Sequence, residues 1–174
     1  RPYHGAAPDL GAFESRVAIL PGIHVIHTAT ANTASGNASS ITIPDFQIGD
    51  GNALVVVVNS ECSTVSYSVT YQMDSQPAIS LTDGVFDSEG SQGAGVYWLI
   101  SPSISGTTGD VVVTLGGNSS AAVSVLSLRQ VLGVSDNATA KSTNNANLTL
   151  AYDGVVDGLV VAGGVDNAFS GATP

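Results

Sequence analysis

Along residues 65–71, Val65, Tyr67, Val69 and Tyr71 alternate with Ser66, Ser68 and Thr70. A period of two puts the apolar set on one face of a strand and the hydroxyls on the other, so this stretch predicts a half-buried β-strand. Residues 54–58 read LVVVV with no alternation. That run predicts a central strand covered on both faces, entered from the IGDGN turn at 48–52. Further strands are expected over 23–30, 39–43, 95–101, 110–115, 121–128, 147–152 and 158–163, most of them filled with β-branched residues. No stretch longer than a few residues shows the 3.6-residue apolar period of a helix.

Clusters of Gly, Asn, Asp, Ser and Pro separate these strands: TASGN, DGN, MDSQP, DSEGSQGAG, SPSISGTTGD, GGNSS and DNATAKSTNNAN. Short strands punctuated in this way predict an all-β chain, an antiparallel β-sandwich of Greek-key or jelly-roll type. The polar stretch at 83–94 reads as a surface loop. With 174 residues and no internal repeat, the chain divides into an extended N-terminal tail at 1–21 and one sandwich domain at 22–174. It stops at GLVVAGGVDNAFSGATP, directly after a strong strand. About eight body strands leave open whether every sheet edge is paired.

The tail has a period of its own. Gly11, Phe13, Ser15, Val17 and Ile19 present small or apolar side chains on one side, while Ala12, Glu14, Arg16 and Ala18 face the other. Pro21 and Gly22 break this segment from the strand that starts at Ile23, and so form a hinge. A hinged strand needs a partner edge. Added to the sheet of the next subunit, it makes a head-to-tail contact that does not close, hence a fibre. Folding back on its own body, or serving as a linker, are the alternatives.

Charge narrows the partners. Four Lys and Arg stand against fourteen Asp and Glu, a net charge of -10. Such a chain repels a phosphate backbone and an anionic membrane surface, so neither nucleic-acid binding nor membrane association is expected. The longest apolar runs are too short to span a bilayer. A start at Arg1 leaves room for a removed signal or pro-segment. The lone Cys62 permits no internal disulfide and reads as an inert small residue. Sequons at Asn37, Asn118, Asn137 and Asn147 are candidate glycosylation sites. Few lysines and a surface of uncharged polar residues fit an exported protein.

Two resemblances rest on particular motifs. GIHVIHTAT, IGDGNALVVVVNS, VSYSVTYQ, GVYWLISPS, GTTGDVVVTLGG and AAVSVLSL, spread over 22–165, resemble a group of secreted bacterial β-sandwich domains found within large surface proteins. RPYHGAAPDLGAFE resembles the P-D-[IL]-G-A-[FY]-E ending of secreted right-handed parallel β-helix proteins, which implies either a larger upstream domain or reuse of the motif as a linker. Both resemblances imply a bacterial protein at the cell surface or beyond, and neither brings a catalytic residue.

Little in the chain suggests chemistry. His4, His24 and His27 are the only histidines. The last two sit three apart on a probable strand and so face opposite sides unless the strand is bulged. There is no G-x-S-x-G elbow, phosphate loop or CxxC pair, and Glu14, Glu61 and Glu89 show no acid/base spacing. Asp83 with Asp87, and Asp153 with Asp157, flank short turns and offer oxygens to calcium, but their sparse acidity favours solvated turns and no committed metal site. Of Tyr97 and Trp98, adjacent on an apolar strand, at least one must face the core. Trp98 is expected to be packed there, with a sugar platform as its other role. The expectation is therefore a non-enzymatic structural subunit of an extracellular bacterial fibre or surface assembly, without a cofactor, polymerising by N-terminal strand addition to copies of itself. A carbohydrate-binding or adhesive module cut from a larger surface protein, with glycans as its partners, is the alternative.

Overall fold

A computed structural model describes residues 22–33, 38–61, 67–89, 92–138 and 158–163. It builds them into eight strands: β1 (His24–Asn32), β2 (Ala38–Gln47), β3 (Ala53–Glu61), β4 (Tyr67–Met73), β5 (Ile79–Ser80), β6 (Thr82–Glu89), β7 (Gln92–Ile100) and β8 (Thr108–Arg129). Among the described residues one 3-10 turn, Pro102–Ile104, interrupts them. There is no α-helix among the described residues, and every strand pairing is antiparallel.

The organising element is β8, 22 residues long. Its first half lies between β2 and β4, with β5 beyond β4. Its second half lies between β1 and β3, with β7 and then β6 beyond β3. The GGNSS stretch, expected as a turn between two strands, is instead a corner inside one strand. Ala38 pairs with Ser119 and Ser40 with Thr114, so residues 115–118 of β8 stand opposite Ser39 alone. Paired glycines lack the Cβ atoms that would resist such a kink, so the ladder bends there without ending.

The bend brings the two ends of β8 together at the 48–52 turn. The Ile48 amide donates to the Thr107 carbonyl (3.0 Å), the Asn52 amide to the Leu128 carbonyl (2.8 Å) and the Gly106 amide to the Gly49 carbonyl (2.6 Å). Gly49 holds a positive φ of 62°, which the glycine at this position tolerates. The sheet thus wraps, nearly closed, around one core. Val111, Val113 and Leu115 from before the corner and Val123 and Val125 from after it meet Ile41, Ile43, Phe46, Leu54, Val56, Val58, Val69, Tyr71 and Tyr97 there. Alternation on β4 is as expected, with Val69 and Tyr71 buried and Ser68 exposed. β3 is buried on both faces, also as expected. Its second face supports a smaller cluster of Ala53, Val55, Leu128 and Val131, joined by half-buried Ile23, Trp98, Ile100, Leu126 and Val161.

Two expected elements need correction. The polar stretch at 83–94 is no loop: β6 and the start of β7 pair from Glu89 opposite Gln92 to Thr82 opposite Trp98. Asp, Gly, Ser and Glu disfavour strands on average, but an edge strand next to solvent tolerates them. Residues 158–163 are no strand: they lie across the outer face of β3, where Val161 packs on the smaller cluster. The ladder of β3 is already filled by β7 and β8, so Val161 finds burial without pairing. The expected strand at 147–152 lies outside the described residues.

Candidate functional site

The expected interface residues Gly11, Phe13, Ser15, Val17 and Ile19, and the hinge residue Pro21, lie outside the described residues. Gly22 does not, and its φ of 114° is a conformation that L side chains rarely adopt. What the structure does describe is the set of sheet edges on which an added strand would pair.

Among the described strands, three of the four edges carry features that discourage pairing. β2 contains Pro44, which lacks an amide hydrogen, next to Asp45 at a φ of 52° and a break in register between Ile43 and Phe46. β6 carries Asp83, Asp87 and Glu89 and a register shift at Gly84. β5 is two residues long. β1, reading HVIHTATAN, contains no proline, Lys, Asp or Glu. Among the described strands it pairs with β8 alone, and after a shift between Val25 and His27 its register runs unbroken from Thr28 to Asn32. Ala29 and Ala31 turn toward the core, while Thr28, Thr30 and Asn32 are exposed.

That shift is the bulge on which the relation of His24 and His27 depends. His27 lies against the 48–52 turn, with Nε2 3.0 Å from the position a Cβ on Gly49 would take. Among the described residues no three His, Cys, Asp or Glu side chains gather to hold a metal ion. Asp83 and Asp87 lie along strand β6 and do not flank a turn. Asp153 and Asp157 lie outside the described residues, as do Cys62 and the sequons at Asn37 and Asn147. Asn118 at the β8 corner and Asn137 beyond β8 are both exposed, and the Asn137 amide donates to Asp136 Oδ1 at 2.7 Å.

The two adjacent aromatic residues divide differently from expectation. Tyr97 takes the core, 3% exposed, with Gly95 leaving room for its ring and Tyr67 meeting it edge-on at 6.5 Å between centroids. Burial, and then the charge of Asp83, push the Tyr97 hydroxyl well above the usual tyrosine range. The Tyr67 hydroxyl pairs with Ser60 Oγ and donates to the Gly93 carbonyl at 3.3 Å. Trp98 turns outward instead: it is half-buried in the smaller cluster, its ring lying over Gly84 of β6. Adjacent strand residues must face opposite ways, so the larger ring went to the face with the open glycine.

A feature that no local motif announces lies at the far end of the same outer face. Asn32, Thr33, Asn59, Ser60, Glu61, Ser120, Ala121 and Ala122 line an open cleft of about 340 Å³. Asn32 on β1 and Asn59 on β3 are both registered opposite Ala122 on β8 between them. Thr33 Oγ1 accepts from the Ala121 amide at 3.0 Å. Asn59 Oδ1 is buried without a hydrogen-bond partner. The one sequence sign was an Asn ending the run ALVVVVN. No family model matches this chain, and neither does any curated protein or solved structure.

Proposed function

We propose that the protein is a non-enzymatic, exported subunit of a bacterial surface fibre, a β-sandwich domain whose N-terminal segment at 11–19 adds to the sheet of a neighbouring copy. The observation that carries this reading is the contrast between β1 and the other three edges. Natural sheets blunt their edges with proline, charge, bulges or shortness; β2, β6 and β5 do so, while β1 carries only the bulge between Val25 and His27 and runs without proline, acidic residues, lysine or irregularity from Thr28 to Asn32. The tail reaches β1 directly through Pro21 and Gly22, and its nine alternating residues match the nine of β1 in length. Burying Phe13, Val17 and Ile19 would contribute on the order of 5 kcal/mol before ordering costs, and each main-chain hydrogen bond about 1 kcal/mol.

Negative-stain microscopy and sedimentation of the full chain, beside a chain lacking residues 1–20, test the proposal. Filaments or concentration-dependent oligomers are expected from the first and folded monomers from the second. Filaments from the truncated chain would overturn it.

A further inference from the structure

We infer that the cleft between β1 and β3 is a binding site for a neutral, polyhydroxylated ligand, a saccharide unit, independent of strand addition. Its construction is regular. Neighbouring strands lie about 4.8 Å apart, so the Asn32 and Asn59 backbones stand about 10 Å from each other with only the Ala122 methyl between them. The result is a slot with a small apolar floor and an amide on each side. Glu61, two residues beyond Asn59 on the same strand face, is exposed and adds a carboxylate acceptor. Thr33 already accepts one hydrogen bond through Oγ1, and its own O–H remains available to donate.

The donor set selects the ligand class. Among the described residues no Lys or Arg lines the cleft, and the chain carries a charge of -10, which disfavours phosphates and carboxylates. Among the described residues Glu61 is the cleft's one carboxylate and no metal-ligating cluster exists, which disfavours a divalent cation. Amides and a hydroxyl, which both donate and accept, match a ligand whose hydroxyls do the same. Asn59 Oδ1 is itself fully buried beside Gly163, so the exposed polar side chains that a ligand meets in the cleft are those of Asn32 and Glu61. A cleft of about 340 Å³ falls within the size range of small-molecule sites.

The test is titration of the full, isotopically labelled chain with glucose, galactose, mannose and N-acetylglucosamine, followed by amide and Asn side-chain chemical shifts. Inorganic phosphate and calcium chloride serve as comparison probes. Shifts confined to Asn32, Thr33, Asn59, Glu61 and Ala122 are expected with at least one sugar. Ala122→Leu fills the slot from an exposed strand position, and should weaken that binding about tenfold or more with the melting temperature held. Absence of cleft shifts with all four sugars would overturn the inference. So would sugar shifts centred on Trp98, unweakened binding by a folded Ala122→Leu chain, or cleft shifts produced only by phosphate or calcium. A chain lacking residues 1–20 should bind as the full chain does, which separates this result from the fate of the fibre proposal.

Discussion

Ser127, near the end of β8, donates its hydroxyl to the Ile48 carbonyl at 2.5 Å across 79 residues of sequence. Thr107, just before the start of the same strand, accepts from the Ile48 amide at 3.0 Å. One residue in the 48–52 turn therefore holds both ends of a 22-residue strand, and this is what turns a bent sheet into a nearly closed one. Ser127 is fully buried, so its hydroxyl has no solvent alternative.

The first prediction concerns that latch. Ser127→Ala removes one donor from Ile48, whose carbonyl retains the Gly51 amide at 3.2 Å. Loss of about 1–2 kcal/mol is expected. Gly51→Ala should be worse, about 3 kcal/mol, because its Cβ would collide with Ser127 Oγ and come 2.9 Å from the Ile48 and Leu128 carbonyl oxygens. Urea unfolding at constant m-value measures both. A Gly51→Ala chain as stable as the parent would show that the turn is not held in this way.

The second prediction addresses the edge that the fibre reading requires. Thr30→Lys places a charge at an exposed β1 position, the device that edge strands use against pairing. Folding stability should change by no more than about 0.5 kcal/mol, while assembly of the full chain should fall sharply in sedimentation. The matching substitution on β2, Thr42→Lys, lies on an edge already blunted by Pro44 and should leave assembly as it is. Equal losses from both would remove β1 as the acceptor.

How much of this was legible in the sequence follows from where the physical cause is local. The alternation of β4 and the apolar run of β3 show directly, because burial on one face or two imprints a period. The β8 corner does not show: a Gly-Gly-Asn run looks the same whether a strand ends or bends, and the difference is made by the 48–52 turn. The β6–β7 pairing is hidden because Asp83, Gly84 and Glu89 tolerate an edge but do not ask for one. Val161 imitates a strand residue because burial against the smaller cluster needs the same apolar side chain without the ladder. The cleft is set by register alone, since Asn32, Ala122 and Asn59 meet from three distant segments.

A third prediction uses the lone tryptophan. A Cβ on Gly84 would collide with the Trp98 ring and stand 2.5 Å from the Val96 carbonyl oxygen. Gly84→Ala should therefore expel the ring toward solvent, red-shift the native emission and destabilise by about 1–3 kcal/mol. Trp98 is the only tryptophan, so the emission reports this site without ambiguity. An unshifted spectrum would place the ring elsewhere.

The last prediction is a pH dependence. Burial raises the pKa of Tyr71 above the ordinary 10.0, opposed in part by its 2.9 Å hydrogen bond with Thr107 Oγ1, and burial raises Tyr97 further. Above about pH 10 the unfolded chain releases these protons while the folded chain keeps them, so the unfolded state binds fewer protons and stability falls as pH rises. The contribution is fully present below that pH and is lost through the window above it, at up to about 1.4 kcal/mol per pH unit for each tyrosine. Tyr97→Phe keeps the ring beside Tyr67 and Gly95 but has nothing to ionise. It should change stability at neutral pH by less than about 1 kcal/mol and make the alkaline decline shallower by one tyrosine's share. Tyr71→Phe should also flatten the decline, but it gives up the Thr107 hydrogen bond and so lowers the neutral plateau by about 1 kcal/mol. Urea unfolding between pH 7 and about 11 separates the two substitutions, and a parental slope in Tyr97→Phe would mean that this hydroxyl is not held in its neutral form by the core.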